Sequence, residues 1–393
     1  MECTGQLIYH PQRYREMRPF FHPLYKIFRN TCAPDGCPTT SGMMAMHQKF
    51  IQIWNEELDH LPIEKRPENI KRFNEEISIF CHVASSIYTG RNIFHLQPEL
   101  SSLLRETDVD EIEWRLLHLP YPNIYLWFGK QKDWPLSSNH YVDGAYIEYR
   151  PGEQGLQITL TSVADSYPDW LHQNFVMDFD PYYYAIFEFS PDGKSTVGES
   201  LKSLLEKDPN FHPENEQQIS DEQIEKYRNE GINVLELPPE RSGWYQNALE
   251  HQENLPIFLQ ALRLVINGLC FLSAEPDDIV TEFPTDTIET VVSNSQGLNN
   301  PKQVGTKEVK KIHSHGYTKI HFCGNQFVKA AQRHDGIGTG SEMPPHRRRA
   351  FWRNQPCGVG RLENRLTWIR PTIVRKDRLK DEEDAPGHTY IVR

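Results

Sequence analysis

The residues best equipped for chemistry lie between positions 344 and 361, where Pro-Pro-His346-Arg347-Arg348-Arg349-Ala350-Phe351-Trp352-Arg353 runs into Asn-Gln-Pro-Cys-Gly358-Val-Gly360-Arg361. Five arginines fall within this stretch, interleaved with two aromatic residues, and Arg365 and Arg370 follow. Guanidinium groups pair two-fold with phosphate oxygens, and aromatic faces stack on unpaired bases. Gly358 and Gly360 would let the backbone approach a ligand closely. His346, Arg347, Arg348, Arg349, Trp352, Arg353 and Arg361 are therefore the candidate contacts to RNA or a ribosome. A solvated basic loop whose tryptophan docks on the core, its arginines meeting an acidic protein surface, has the same composition.

Other constellations are weaker. His313, His315, His321 and Cys323 share strand faces in pairs, a spacing that could hold zinc, but no paired Cys-x-x-Cys accompanies them. His346 beside arginines has two parts of a ribonuclease site, a proton carrier and a charge stabiliser, with no placed partner to complete it. Asp178 and Asp180 could bind a cation, though paired acids at a turn are usually solvated. Phosphate-cradling loops, nucleophile elbows and dinucleotide fingerprints are missing. No catalytic residue, metal or cofactor is assigned.

The positions around these residues carry an uneven charge. The 393-residue chain has a net charge of -12, yet residues 302–380 hold 18 basic and 5 acidic side chains, a net of +13. The remainder therefore carries -25, an acidic body joined to a basic segment suited to a polyanion. With 38% hydrophobic and 24% charged residues the chain can build sizeable cores. Residues 255–272 form the longest greasy stretch, interrupted and read as a core helix, so no membrane partner is expected. Seven irregularly spaced cysteines and an N-terminus without a basic-then-apolar signature point to a reduced, cytoplasmic setting.

Periodicity supplies the scaffold. Residues 1–40, rich in proline, arginine and aromatics, read as an irregular arm containing a Cys32–Cys37 turn. Helical spacing follows at 41–61, 67–88 and 98–106. Short β-branched and aromatic runs at 123–128, 145–149, 156–163 and 182–189, with turns between them, predict an antiparallel sheet. Helices are expected at 198–206 and 220–229 around a polar loop, then a strand at 232–237 and the apolar helix 255–272. Strands are expected again at 318–323 and 366–374. The predicted class is α+β: a helical N-terminal region packed on an antiparallel sheet, with a basic, β-containing C-terminal segment. The corresponding divisions are 1–118, 119–274, a linker at 275–316, and 317–393.

Pro345-His346-x-Arg348-Arg349-x-x-Trp352, Gly358-x-Gly360 and Trp368-Ile369-Arg370-Pro371-x-x-Val374 together resemble the C-terminal signature of the type V-A anti-CRISPR family numbered two, the AcrVA2-like proteins. Gly268-Leu-Cys-Phe-Leu-Ser-Ala-Glu-Pro-Asp277 and Leu119-Pro-Tyr-Pro-Asn-Ile-Tyr-Leu126 are similar to two further stretches of that family. The chain departs at Ala350-Phe351, where relatives commonly carry Gly-His. The resemblance implies a plasmid or phage protein that blocks biogenesis of a type V-A CRISPR nuclease. It would recognise the N-terminal stretch of the nascent polypeptide and trigger loss of the translated mRNA. The partners implied are a nascent polypeptide, mRNA or ribosome, and a host nuclease. An intrinsic ribonuclease or RNA-binding protein using the His/Arg/Trp segment, and an interaction module with a different target, are the alternatives.

Overall fold

The computed structural model describes residues 8–31, 40–59, 70–137, 140–150, 155–165, 185–189, 194–207, 229, 243–283, 318–327, 346–348, 350–370 and 372–374. Several expectations lie outside them: the Cys32–Cys37 turn, Asp178 and Asp180, nearly all of 208–237, most of 275–316, and His313, His315 and Arg349.

The N-terminal segment is helical where an irregular arm was expected. α1 (His10–Met17) and α2 (His22–Thr31) flank a single 3-10 turn at Pro19–Phe21. Pro11 lies in the first turn of α1, where its missing N–H has no intrahelical acceptor to lose, so it starts the helix. Phe21, Leu24, Tyr25 and Phe28 supply the buried stripe that a composition-based reading overlooks. α3 (Thr40–Asp59) and α4 (Ile70–Tyr88) complete this layer, with Phe50, Trp54, Phe80 and Val83 buried.

Beneath the helices runs an eight-stranded sheet, ordered β6-β5-β4-β2-β1-β8-β7 with β3 also paired to β4. Its strands are β1 (Ile93–Leu96), β2 (Asn123–Trp127), β3 (Pro135–Ser137), β4 (His140–Arg150), β5 (Gly155–Ala164), β6 (Ala185–Phe189), β7 (Ile279–Glu282) and β8 (Ile320–Cys323). The α+β class holds. Pairing is antiparallel from β6 to β2 and between β7 and β8, whereas β1 is parallel to both β2 and β8. That parallel pairing is possible because the chain returns to each neighbour by a long connection, α5 (Pro98–Arg105) lying on the first of them.

Strand alternation gives the sheet two cores. Phe94, Leu96, Ile124, Leu126, Ala145 and Ile147 point to one face, where α5 and the helix Gly243–Ala274 (α7) pack. Ile93, Tyr125, Tyr146 and Ile320 point to the other, under α1–α4. α7 runs through the core, as its apolar stretch predicts. Its part Glu253–Ala274 is long and apolar enough by composition to span a bilayer, but most of it is buried within the fold, through Leu262, Val265, Ile266 and Leu269. α6 (Val197–Lys207) begins with a capping box: the Glu199 N–H donates to Thr196 Oγ1 at 3.2 Å, and the Thr196 N–H donates to Glu199 Oε2 at 2.8 Å.

The α1–sheet contact is polar. The β4–β5 register shifts between Val142 and Gly144, leaving Asp143 as the extra residue of a bulge. That bulge aims Asp143 at Arg13, whose Nη2 donates to Oδ2 at 2.9 Å while Thr161 Oγ1 donates to Oδ1 at 2.7 Å. Both charges are almost fully buried. Nearby, His10 Nδ1 and the Tyr146 hydroxyl are 2.8 Å apart, and Arg18 donates to Glu76 at 3.0 Å.

Candidate nucleic-acid interface

The arginine-rich segment is not a loop. β9 (His346–Arg348) and β10 (Phe351–Cys357) run along one side, β11 (Glu363–Ile369) and β12 (Thr372–Val374) along the other. β10 pairs with β11 and β9 with β12, both antiparallel and in one continuous register, from Cys357↔Glu363 through Phe351↔Ile369 to His346↔Val374. The β10–β11 ladder forms a ribbon folded back at residues 358–362, and β9–β12 is a separate two-stranded ladder in the same register. At ~3.4 Å per residue the seven-residue β10 reaches roughly 24 Å.

One face of the ribbon is anchored. Trp352 and Trp368 oppose each other across the strands, with ring centroids 5.7 Å apart and planes 23° from parallel. They are buried with Ala350 and Leu366 against α7, where Phe271 meets Trp368 edge-on. Arg370 lies over the rings of Phe327 and Trp368, at 4.6 and 5.9 Å. The indole N–H of Trp352 donates to Asn267 Oδ1 at 2.6 Å in the interior. Trp352 thus docks on the core, and its face is not offered to a base: the core-docking reading describes this residue correctly.

The opposite face carries charge. Alternation places Arg353, Gln355, Arg365 and Thr367 on the side away from Trp352. Arg353 and Arg365 are exposed, as is Arg361 in the turn, and none of the three makes an ion pair among the described residues. His346, Arg347 and Arg348 belong to β9 by backbone pairing. Gly358 and Gly360 have φ of 74° and 70°, and Arg361 has φ of 57°, so the glycines serve the turn itself. Flanking Arg361, Val359 and Leu362 are 96% and 88% exposed. These two aliphatic residues went unnoticed in the sequence, where only a Gly-x-Gly turn before an apolar position hints at a displayed tip.

Of the histidine–cysteine group, His321 and Cys323 lie among the described residues, both on β8. His321 stacks on Phe94 with centroids 4.5 Å apart, and burial lowers its pKa. Cys323 is fully buried, and desolvation, with a contribution from Asp278, pushes its thiol up, so the thiolate a metal needs is disfavoured. Among the described residues no group of three potential ligands comes together.

A family model described as the anti-CRISPR type V subtype A2 family, AcrVA2-like, matches residues 94–376. The chain belongs to the AcrVA2-like family. The match runs from within β1 to just beyond β12, so the ribbon and nearly all of the sheet lie inside the AcrVA2-like region, while α1–α4 precede it. A solved structure, the crystal structure of AcrVA2, aligns over 93% of this chain and 99% of its own length at 13% identity and a TM-score of 0.38. No curated protein matches.

Proposed function

We propose that this AcrVA2-like protein recognises the N-terminal stretch of a nascent polypeptide and triggers loss of the message being translated, so that a type V-A CRISPR nuclease is not made. The observation that supports this reading is the ribbon: exposed arginines without ion-pair partners among the described residues, inside the family-matched region. Such a surface suits a ribosome or mRNA. The proposed seat for the peptide is β7, an edge strand whose only neighbour among the described strands is β8 and whose Val280 is 45% exposed. A free edge accepts an extended chain through main-chain hydrogen bonds. The protein acts in the cytoplasm, and a recruited host nuclease removes the message.

The test is co-expression with two nuclease messages that differ only by compensating frameshifts around the first codons. Their nucleotide sequences are nearly identical, but one encodes a scrambled N-terminus. The expected result is loss of the message encoding the native peptide and survival of the other. Survival of both, or loss of both, overturns nascent-peptide recognition. Cleavage of labelled RNA by the purified protein would replace the recruited nuclease with an intrinsic one.

A further inference from the structure

The arrangement of the ribbon restricts the kind of RNA it suits. Proteins that hold unpaired strands offer exposed aromatic platforms on which bases stack. Here the two tryptophans of the ribbon are 6% and 5% exposed and stack on each other, and Phe351 is half-buried. What remains outside is a set of cations with one acidic neighbour, the exposed Glu363. Arg353 opposes Thr367 and Arg365 opposes Gln355, so the two arginines are diagonal neighbours on one face. Their backbones are about 7–8 Å apart. Arg361 continues the line into the turn, between the exposed side chains of Val359 and Leu362. Base-paired RNA is met through phosphates, 2′-hydroxyls and overall shape, because its bases are engaged with one another.

We infer that the outward face of the ribbon docks on base-paired RNA, with Arg353, Arg361 and Arg365 against phosphates and the Val359/Leu362 tip against the sugar–base surface of a groove. This rests on the reading that the protein works beside a ribosome or message. It narrows that reading to helical RNA as the ligand, in place of the unwound strand passing through translation.

The experiment uses the full chain and two labelled probes, an RNA duplex of about 20 base pairs and single-stranded oligouridine of the same length. Binding is followed by fluorescence anisotropy across a salt series. The duplex should bind about tenfold or more tighter than the single strand, with log affinity falling against log salt at a slope of roughly -2 to -3 for three phosphate contacts. Arg365→Gln should reduce that slope by about one. Val359→Ser combined with Leu362→Ser should weaken binding about tenfold with the slope unchanged, since an aliphatic contact releases no counterions. These positions are exposed, and an unchanged thermal transition verifies folding of each variant. Three results overturn the inference: oligouridine binding as tightly as duplex, no duplex binding at about 50 mM salt, or poly-glutamate competing equally with duplex at matched charge. If duplex binding fails while the frameshift assay still shows peptide-dependent message loss, this inference falls alone; if both fail, the functional reading falls with it.

Discussion

Trp352 and Asn267 form a buried relay: the indole N–H donates to Asn267 Oδ1 at 2.6 Å, and Asn267 Nδ2 donates to the Thr107 carbonyl at 3.0 Å. One side chain on α7 thereby holds both the root of the ribbon and the loop after α5. Removing it orphans a donor and an acceptor together, and unpaired buried polar groups are costly. Asn267→Ala should lower unfolding free energy by about 2–4 kcal/mol, read from denaturant melts. Trp352→Phe, which keeps an aromatic ring but loses the N–H and part of the buried indole, should cost about 2–4 kcal/mol.

The Arg13–Asp143 pair makes the opposite sheet face sensitive to charge. Arg13→Met strands a carboxylate in the interior and should destabilise by about 3–5 kcal/mol. The double variant Arg13→Met with Asp143→Leu should recover much of that loss, because burying a charge pair gains little over apolar packing. A double variant no more stable than the single one would mean that Asp143 is needed for its bond from Thr161.

Two histidines predict an acid-sensitive layer. Burial, reinforced by Arg13 and Arg18, holds His10 well below its usual pKa, and burial lowers His95 to about 4. In both cases the unfolded chain binds the proton first. Stability is therefore complete above the ordinary histidine value of about 6.5 and declines as pH falls towards the folded values. His95 also lies 2.8 Å from the Tyr9 hydroxyl, which ties this layer to the start of α1. Equilibrium melts between pH 7 and pH 4 should fall more steeply for the wild type than for His95→Gln, the difference reaching about 2–3 kcal/mol.

Gly324 marks the close approach between the end of β8 and α5. Its φ is +89°, and a Cβ there would meet Leu100 Cβ at 2.7 Å. Gly324→Ala combines backbone strain with overpacking and should cost about 2–4 kcal/mol in a denaturant titration.

Charge reversal at Arg353, Arg361 and Arg365 should separate function from folding. The three positions are exposed and make no ion pairs among the described residues, so stability should shift by no more than about 0.5 kcal/mol per site. Message loss in cells should nevertheless fall sharply while peptide capture continues. Unchanged message loss would make the ribbon purely structural.

Much of the architecture was legible because periodicity is local. α3, α4, α5 and α6 follow apolar spacing or capping residues, and β4 and β5 follow alternation around a Pro-Gly turn. β1 was not legible. Ile93-Phe-His-Leu96 is too short to show a period, and both of its neighbours are reached by parallel pairing from distant sequence. The ribbon was half legible. Its second arm reads as a strand, but on the first the inward positions are Trp352, Asn354 and Pro356, a set with no hydrophobic alternation. Arginines mark the proposed interface by composition, whereas the burial of Trp352 depends on Asn267, 85 positions earlier.

The slot filled by β8 has a consequence for how the molecule is made. β8 sits between β1 and β7, yet it comes from residues 320–323, long after both neighbours have been synthesised. Until that segment emerges, β1 and β7 cannot be joined, and each keeps a bare edge able to pair with other chains. Completion of the sheet is thus a late, long-range event in vectorial synthesis, which makes this a topology of slow closure. A chain terminated before residue 320 would carry both edges open, so premature release should yield aggregation in place of a smaller working protein.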